Sequence, residues 1–282
     1  MSTLKIADSH VHFWDTNRLQ YPWLADEPLL NRPYLPDHIP AHGSNWTVDA
    51  LVFVQSDCLP QQGIAEVDWV TTLANDDPRI RGIVAFAPLE KGTQVRPVLD
   101  DLKKRPLVKG VRRLLQREPL GFSLQPEFVV GVQLLAEYGL SFDLCIKYFQ
   151  LPDAIALVRQ CPDVQFILDH IGKPAIKDGH QDAWRSELAE LAKYPNVVCK
   201  LSGLVTEADM QHWTPAELQP YIQHTLAVFG SDRVMFGSDS PVLTLASTYE
   251  QWVSLVLDAL QSFSTAEQDK ILYSNAMTAY RL

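Results

Sequence analysis

Cysteine is scarce. Cys58, Cys145, Cys161 and Cys199 lie far apart and include no C-x-x-C pair, which argues against a disulfide scaffold and against a thiolate zinc site. Reduced thiols in a cytoplasmic protein are the expectation. Positive charge is also short: 24 Lys and Arg stand against 34 Asp and Glu, a net charge of −10. The longest basic run, Lys103-Lys104-Arg105, reads as a solvated helix end, so no nucleic-acid partner is expected. No segment approaches the roughly 20 apolar residues of a membrane span. Lys5 and Asp8 fall where a secretion signal would need its apolar stretch, so neither export nor membrane attachment is expected. No G-x-G-x-x-G follows the first strand-like run, which argues against a dinucleotide fold, and no organic cofactor is expected.

What is present is a chain of 282 residues, 46% apolar and 21% charged, able to bury a large core. Eight short runs rich in Val, Ile, Leu and Phe read as strands: Leu4–His12, Val48–Ser56, Ile80–Leu89, Leu107–Gln116, Leu140–Tyr148, Val164–Ile171, Val197–Leu204 and Val234–Pro241. Between them helical spacing recurs over Ile64–Asn75, Thr93–Lys104, Pro126–Tyr138, Pro152–Gln160, Asp182–Lys193, Thr214–Phe229 and Thr248–Ser262. Thr214-Pro215 and Ser247 or Thr248 supply helix-start chemistry. This alternation predicts an α/β fold, a single (β/α)8 TIM-type barrel spanning residues 1–282. Phe13–Trp46, rich in Pro, Trp, Tyr and Asn, shows no clear helix and makes a long first βα loop of the kind that covers or lines a site.

Parallel barrels place their chemistry at the C-terminal ends of the strands. Here those ends carry His10 and His12, Gln55 and Asp57, Arg112 and Arg113, Lys147, Asp169 and His170, Lys200 and Ser202, and Asp239; the third run ends in Ala87-Pro88-Leu89. His10 and His12 are two apart, so both imidazoles leave one face of a strand. With His170 and Asp239 they form a donor set suited to one divalent ion, Zn²⁺ first. Alternatively, His170 is a core histidine satisfied by Asp169, and Asp239 caps a turn. The other histidines, His38, His42, His180, His212 and His224, are expected on loops and helix surfaces. Of the neighbours Arg112 and Arg113 only one can face the lumen. Lys147, sharing a face with Asp143 and Cys145, and Lys200, sharing one with Ser202, are candidates for substrate contact or for pairing with buried carboxylates. Arg112, Lys147 and Lys200 together would make the mouth locally positive. Trp14, Tyr21, Trp23 and Tyr34 could roof a small substrate or simply pack the first loop.

The segments IADSHVHFWD, YPWL, VKGVRRLLQ, FDLCIK, ILDHIGKP, CKLSGL, FGSDSP and NAMTAYRL resemble, in order, those of the amidohydrolase superfamily. Within it the chain looks like the sugar-lactone hydrolases that include L-fuconolactonase and L-rhamnonolactonase. The resemblance implies a hydrolase that opens a small lactone, an aldonolactone first, to its hydroxy acid. His10, His12, His170 and Asp239 match the residues that hold a divalent ion in relatives, some of which need none. It also implies that Asp239 activates water, while the metal, His170 or Arg112 polarises the carbonyl. Gln55, Arg112, Lys147, Lys200 and Trp23 are the expected substrate contacts. Many superfamily members bridge two metals with a carboxylated lysine or a further acid on a middle strand; Lys147 does not take that assignment, so a single ion is expected. A decarboxylase of small unsaturated or aromatic acids, or a barrel that only binds a small molecule, are the alternatives. A homo-oligomer is left open.

Overall fold

The computed structural model describes residues 3–179 and 181–282; His180, one of the expected surface histidines, lies outside them. Eight strands pair in parallel in sequence order: β1 (Leu4–Val11), β2 (Trp46–Val54), β3 (Ile80–Ala85), β4 (Val108–Arg112), β5 (Ser141–Leu144), β6 (Phe166–Leu168), β7 (Val197–Leu201) and β8 (Val234–Phe236). Helices α1 (Gly63–Asp76), α2 (Arg96–Lys103), α3 (Pro126–Tyr138), α4 (Leu151–Gln160), α5 (Asp182–Leu191) and α6 (Pro215–Phe229) fill the crossovers from β2 to β8, and α7 (Tyr249–Ala259) follows β8. The sheet closes where β8 returns to β1. A parallel bridge joins Val11 to Ser240, the His12 N–H donates to the Ser240 carbonyl at 2.8 Å, and the Asp239 N–H donates to the His10 carbonyl at 2.8 Å. The expected (β/α)8 barrel is therefore the fold.

Two helix starts follow their residue chemistry. Thr248 caps α7, its hydroxyl accepting from the Gln251 N–H at 3.1 Å while the Gln251 side chain accepts from the Thr248 N–H at 3.0 Å. At α6, Pro215 stands first and Glu217 reaches back to the Thr214 N–H at 2.7 Å, a reciprocal arrangement that satisfies otherwise orphaned donors.

Most strands are shorter than the hydrophobic runs that announce them, because apolar residues continue into the turns above. The first loop also differs from expectation: Pro22–Asp26 and Pro36–His38 form short 3₁₀ turns, Trp14 bridges to Tyr34, and Trp46 already belongs to β2. Arg105, expected to be solvated, is held by Asp68 at 2.6 Å and by Asp101. No helix among the described residues is long and apolar enough to cross a membrane. The four cysteines are buried and unbonded to one another.

Outward-facing residues such as Phe53, Phe142, Phe166 and Phe236 pack under the helices. Inside, Ala7, Val52, Val84, Ile167 and Met235 form a smaller apolar layer, joined by Ala276 and Tyr280. Those two residues come from a region that the hydrophobic pattern leaves unassigned, where Thr265–Asp269, Lys270–Ser274 and Asn275–Ala279 make helical turns. Arg281 donates to the carbonyls of Lys109 and Gly139 at the starts of β4 and β5, so this segment covers the barrel end remote from the strand C-termini.

A close helix-to-loop approach involves Gly131 on α3, where an added Cβ would lie 2.0 Å from the Leu89 carbonyl oxygen. Backbone cannot swing aside as a side chain can. Gly131→Ala should lower unfolding free energy by roughly 2–3 kcal/mol despite alanine's better helix propensity; urea denaturation giving an unchanged or higher midpoint would contradict this packing.

Candidate active site at the barrel mouth

The seam that closes the barrel also builds the site. Ala7 on β1 faces inward, and the register irregularity between Asp8 and Val11 resets the alternation so that His10 and His12 face inward as well; the seam bonds set Asp239 beside them in a left-handed conformation, φ 63°. One carboxylate oxygen, Asp239 Oδ1, lies 3.3 Å from His12 Nε2, 3.7 Å from His10 Nε2 and 3.9 Å from His170 Nε2. The four residues expected together are brought together. Simple alternation does not account for His170, because its neighbour Asp169 takes the inward position. β6 ends at Leu168, and His170, Ile171, Gly172 and Lys173 all adopt positive φ, which turns the imidazole back over the mouth. Gly203 permits this: an added Cβ there would lie 2.5 Å from His170 Nδ1. His170 is satisfied by the Ser202 hydroxyl at 2.8 Å rather than by Asp169.

Electrostatics assign opposite roles to these groups. Burial lowers all three imidazoles below their ordinary range, His170 to about 4, so they stand neutral near pH 7. Burial alone would raise Asp239, but attraction to His170, His12 and His10, exerted when these imidazoles take up a proton, outweighs it and holds its carboxyl well below the usual range. The result is a carboxylate among three neutral nitrogens. His12 shows what that set lacks. Its Nδ1 lies 2.7 Å from the Val54 carbonyl oxygen, which can only accept, so the proton sits on Nδ1 and the Nε2 lone pair faces Asp239. Two acceptors at 3.3 Å repel unless a cation or proton lies between them. His10, His170 and Asp239 also offer ligand atoms within 4.8 Å of one another. The donor set therefore fits a divalent ion.

Beneath these residues lies an ionic layer. Lys200, fully buried, places its ammonium 2.6 Å from Asp143 Oδ2, 3.0 Å from Asp169 Oδ1 and 3.1 Å from His10 Nδ1. Arg112 faces inward, touching Asp169 at 3.5 Å and donating to the Gln55 carbonyl, while Arg113 turns out to Glu90 and Glu118. Burial lifts Asp143 to about 6; burial works the same way on Asp169, but Lys200 and then His10 overcome it and hold that carboxyl low.

Above the ligand set opens a pocket of about 240 Å³, whose lining includes His12, Trp23, Arg112, His170 and Asp239. Several expected contacts lie elsewhere. Lys200 is a scaffold cation with no exposed surface. Lys147 misses the lumen because β5 ends at Leu144; its ammonium pairs with Glu207 at 3.2 Å. The Gln55 side chain is buried and accepts from the Asp57 N–H at 2.7 Å, and only its backbone oxygen serves Arg112. Trp14, Tyr21 and Tyr34 are buried packing residues, whereas Trp23 lines the pocket with its indole N–H on the Ser56 carbonyl at 2.8 Å. The mouth is not simply positive: Asp26, Glu27 and Asp57 line it together with Arg112, Arg117 and Lys173.

Lys173, Asp26 and Glu27 are pocket residues that reading strand ends does not find, although Lys173 belongs to the quoted ILDHIGKP segment. Glu66 is a second omission. Fully buried on α1, it accepts from the Ser56 N–H at 3.1 Å and so holds the residue that carries Trp23. Nothing in its helical context marks it as polar support for a pocket.

Burial lifts Glu66 to about 8. A folded-state pKa raised above the unfolded carboxyl value means that the folded chain holds this proton more tightly, so the group's contribution to stability falls as pH rises from about 5 to about 8. Glu66→Gln mimics the protonated form. Its stability relative to wild type should rise across that interval in pH-dependent urea melts; a constant difference would show that Glu66 is already ionised in the fold near pH 5.

A family profile described as Amidohydrolase matches residues 7–282. An L-fucono-1,5-lactonase of Burkholderia multivorans is 35% identical over 295 residues, covering 100% of this chain and 97% of that protein. A crystal structure of an amidohydrolase from the same species with bound zinc superposes with a TM-score of 0.86 at 34% identity, covering 98% of this chain and 99% of that one. A 2,6-dihydroxybenzoate decarboxylase from Rhizobium, at 14% identity and a TM-score of 0.67 over 100% of this chain and 99% of that one, shares the fold.

Proposed function

Because the chain belongs to the amidohydrolase family, we propose that it hydrolyses a small lactone, an aldonolactone of the L-fucono or L-rhamnono type, to the open hydroxy acid. The observation that carries this reading is the Asp239 carboxylate within 3.3 to 3.9 Å of three buried imidazoles at the floor of a small pocket. Identity over the whole chain to a lactonase supports the reaction class, whereas the likeness to a decarboxylase lies in the fold alone. The whole chain acts as one catalytic barrel. Its unpaired thiols suit a reducing cytoplasm, and its acidic balance argues against nucleic acid.

His10, His12, His170 and Asp239 would hold a divalent ion, zinc first, which when bound supplies Lewis-acid polarisation of the lactone carbonyl. The residues themselves account for the proton traffic. Asp239, ionised and without a strong hydrogen-bond donor, accepts a proton from water as the water oxygen bonds to the carbonyl carbon. The oxyanion develops beside His170 and the Arg112 guanidinium. Collapse breaks the ring C–O bond, and the protonated Asp239 returns its proton to the leaving ring oxygen. Above the reacting centre Asp26, Glu27 and Asp57 can accept hydrogen bonds from sugar hydroxyls, and Lys173 can donate to ring or carbonyl oxygens. Such a mixed rim suits a neutral polyol better than a dianion.

Asp239→Asn should lower kcat by about 10³-fold or more on whichever aldonolactone the wild type opens, with the fold intact by circular dichroism. A pH-indicator assay over 1,4- and 1,5-aldonolactones, with and without chelator, measures this, and near-native turnover by the variant would remove Asp239 from its role. The two lysines should separate. Lys173→Met should raise KM several-fold, while Lys147→Met, bound to Glu207 at the rim, should leave kcat/KM within about twofold; equal effects would place both, or neither, at the substrate.

A further inference from the structure

Tyr280 sits at the barrel end remote from the pocket, yet its hydroxyl is part of the polar column that ends at His10. It is fully buried and donates to Asp143 Oδ2 at 2.6 Å. The same oxygen takes the Lys200 ammonium at 2.6 Å, and that ammonium lies 5.4 Å from the centre of the Tyr280 ring. Lys200 therefore has its lower side packed on Tyr280, and its upper side faces Asp169 Oδ1 and His10 Nδ1. Gly110 leaves the space in which Ser141 and Asp143 lie, since a Cβ there would be 2.2 Å from the Ser141 hydroxyl oxygen.

We infer that Tyr280 is a positioning residue for the active site, fixing His10 through Asp143 and Lys200 from the far end of the barrel. The physical argument is one of shared valence. Asp143 Oδ2 divides its lone pairs between a phenol and an ammonium. Remove the phenol, and the carboxylate can turn its freed lone pair toward Lys200 and draw the ammonium down, away from Asp169 and His10. The imidazole then loses the contacts on Nδ1 that keep Nε2 aimed at Asp239. Outer partners that orient a histidine typically change affinity or activity by about 10–100-fold, even where they touch neither metal nor substrate. Tyr280 cannot be exchanged for an apolar residue without cost here, although the residues it packs among, such as Ala7, Val52, Val84, Ile167 and Met235, are apolar.

Tyr280→Phe removes one oxygen and keeps the ring, so the barrel floor stays packed. In the full-length protein labelled with ¹⁵N-histidine, the ring-nitrogen signals of His10 should move in this variant while those of exposed His212 stay in place. On a lactone that the wild type opens, kcat should fall about tenfold with KM within about twofold. The double variant with Asp143→Asn should be no slower than Asp143→Asn alone, because the route passes through that carboxylate. Unmoved His10 signals, or kinetic losses that add in the double variant and track a fall in thermal midpoint, would overturn the assignment and leave Tyr280 a packing residue. The kinetic arm rests on the lactone reading. If the wild type opens no lactone, that reading fails by itself and the His10 signals still decide this one.

Discussion

A lysine ammonium with no exposed surface, held between two carboxylates inside a closed barrel, is the constraint around which this molecule is arranged. Desolvating such a charge costs several kcal/mol unless its partners meet it at hydrogen-bonding range. Lys200 has Asp143 and Asp169 at 2.6 and 3.0 Å, and each carboxylate needs further partners. Asp143 turns to Tyr280, Asp169 to Arg112 and His10, and Arg112 in turn to the Gln55 carbonyl. Replacing a buried ionic cluster with well-packed apolar side chains of similar volume is often neutral or favourable for stability. What the ionic layer adds is direction, because each of these contacts restricts how its partner can turn, and the last partner is His10.

The same column explains why backbone strain gathers at the mouth. Asp57, His170, Ile171, Lys173 and Asp239 are non-glycine residues at φ between 47° and 63°, a conformation that costs about 1–3 kcal/mol at each position and persists only where neighbours over-determine it. For Asp239 the determinants are the seam bonds from β1. For His170 they are the Ser202 hydroxyl and the space left by Gly203. Strain at these positions turns side chains inward that an extended strand would have sent outward, which is how β6 supplies both Asp169 to the ionic layer and His170 to the layer above.

Much of this was legible in residue order. The eight hydrophobic runs locate all eight strands because a buried parallel strand is apolar on both faces, and period two places His10 with His12 and Asp143 with Cys145. It fails where the strand stops. β5 ends three residues before Lys147, so the face it shares with Asp143 is lost and its ammonium finds Glu207 at the rim. Lys173 and His170 become pocket residues through four consecutive left-handed residues that no periodicity announces. The segment after Thr265 was illegible for another reason: its turns are short, one is π-helical, and they are ordered by the barrel floor they cover. Glu66 reads as one more polar residue on an amphipathic helix, and its burial depends on the loop folded over it.

The division of the lumen into layers also bears on why one fold carries different reactions. A likeness at 14% identity and a TM-score of 0.67 to a decarboxylase means that strands, seam and crossover helices tolerate almost complete exchange of residues, so the reaction must be selected by the few side chains above the ionic layer. Here those are a carboxylate set among three buried imidazoles, a guanidinium whose N–H groups are partly spent on Asp169 and Gln55, and a rim with acids and bases interleaved. Releasing carbon dioxide needs a site that stabilises a carbanion after binding a carboxylate, and a second carboxylate would meet Asp239, Asp57, Asp26 and Glu27 across the same pocket. Opening a neutral ring ester needs a proton acceptor beside the carbonyl carbon and hydrogen-bond acceptors for hydroxyls around it. The charges at this mouth are arranged for the second task.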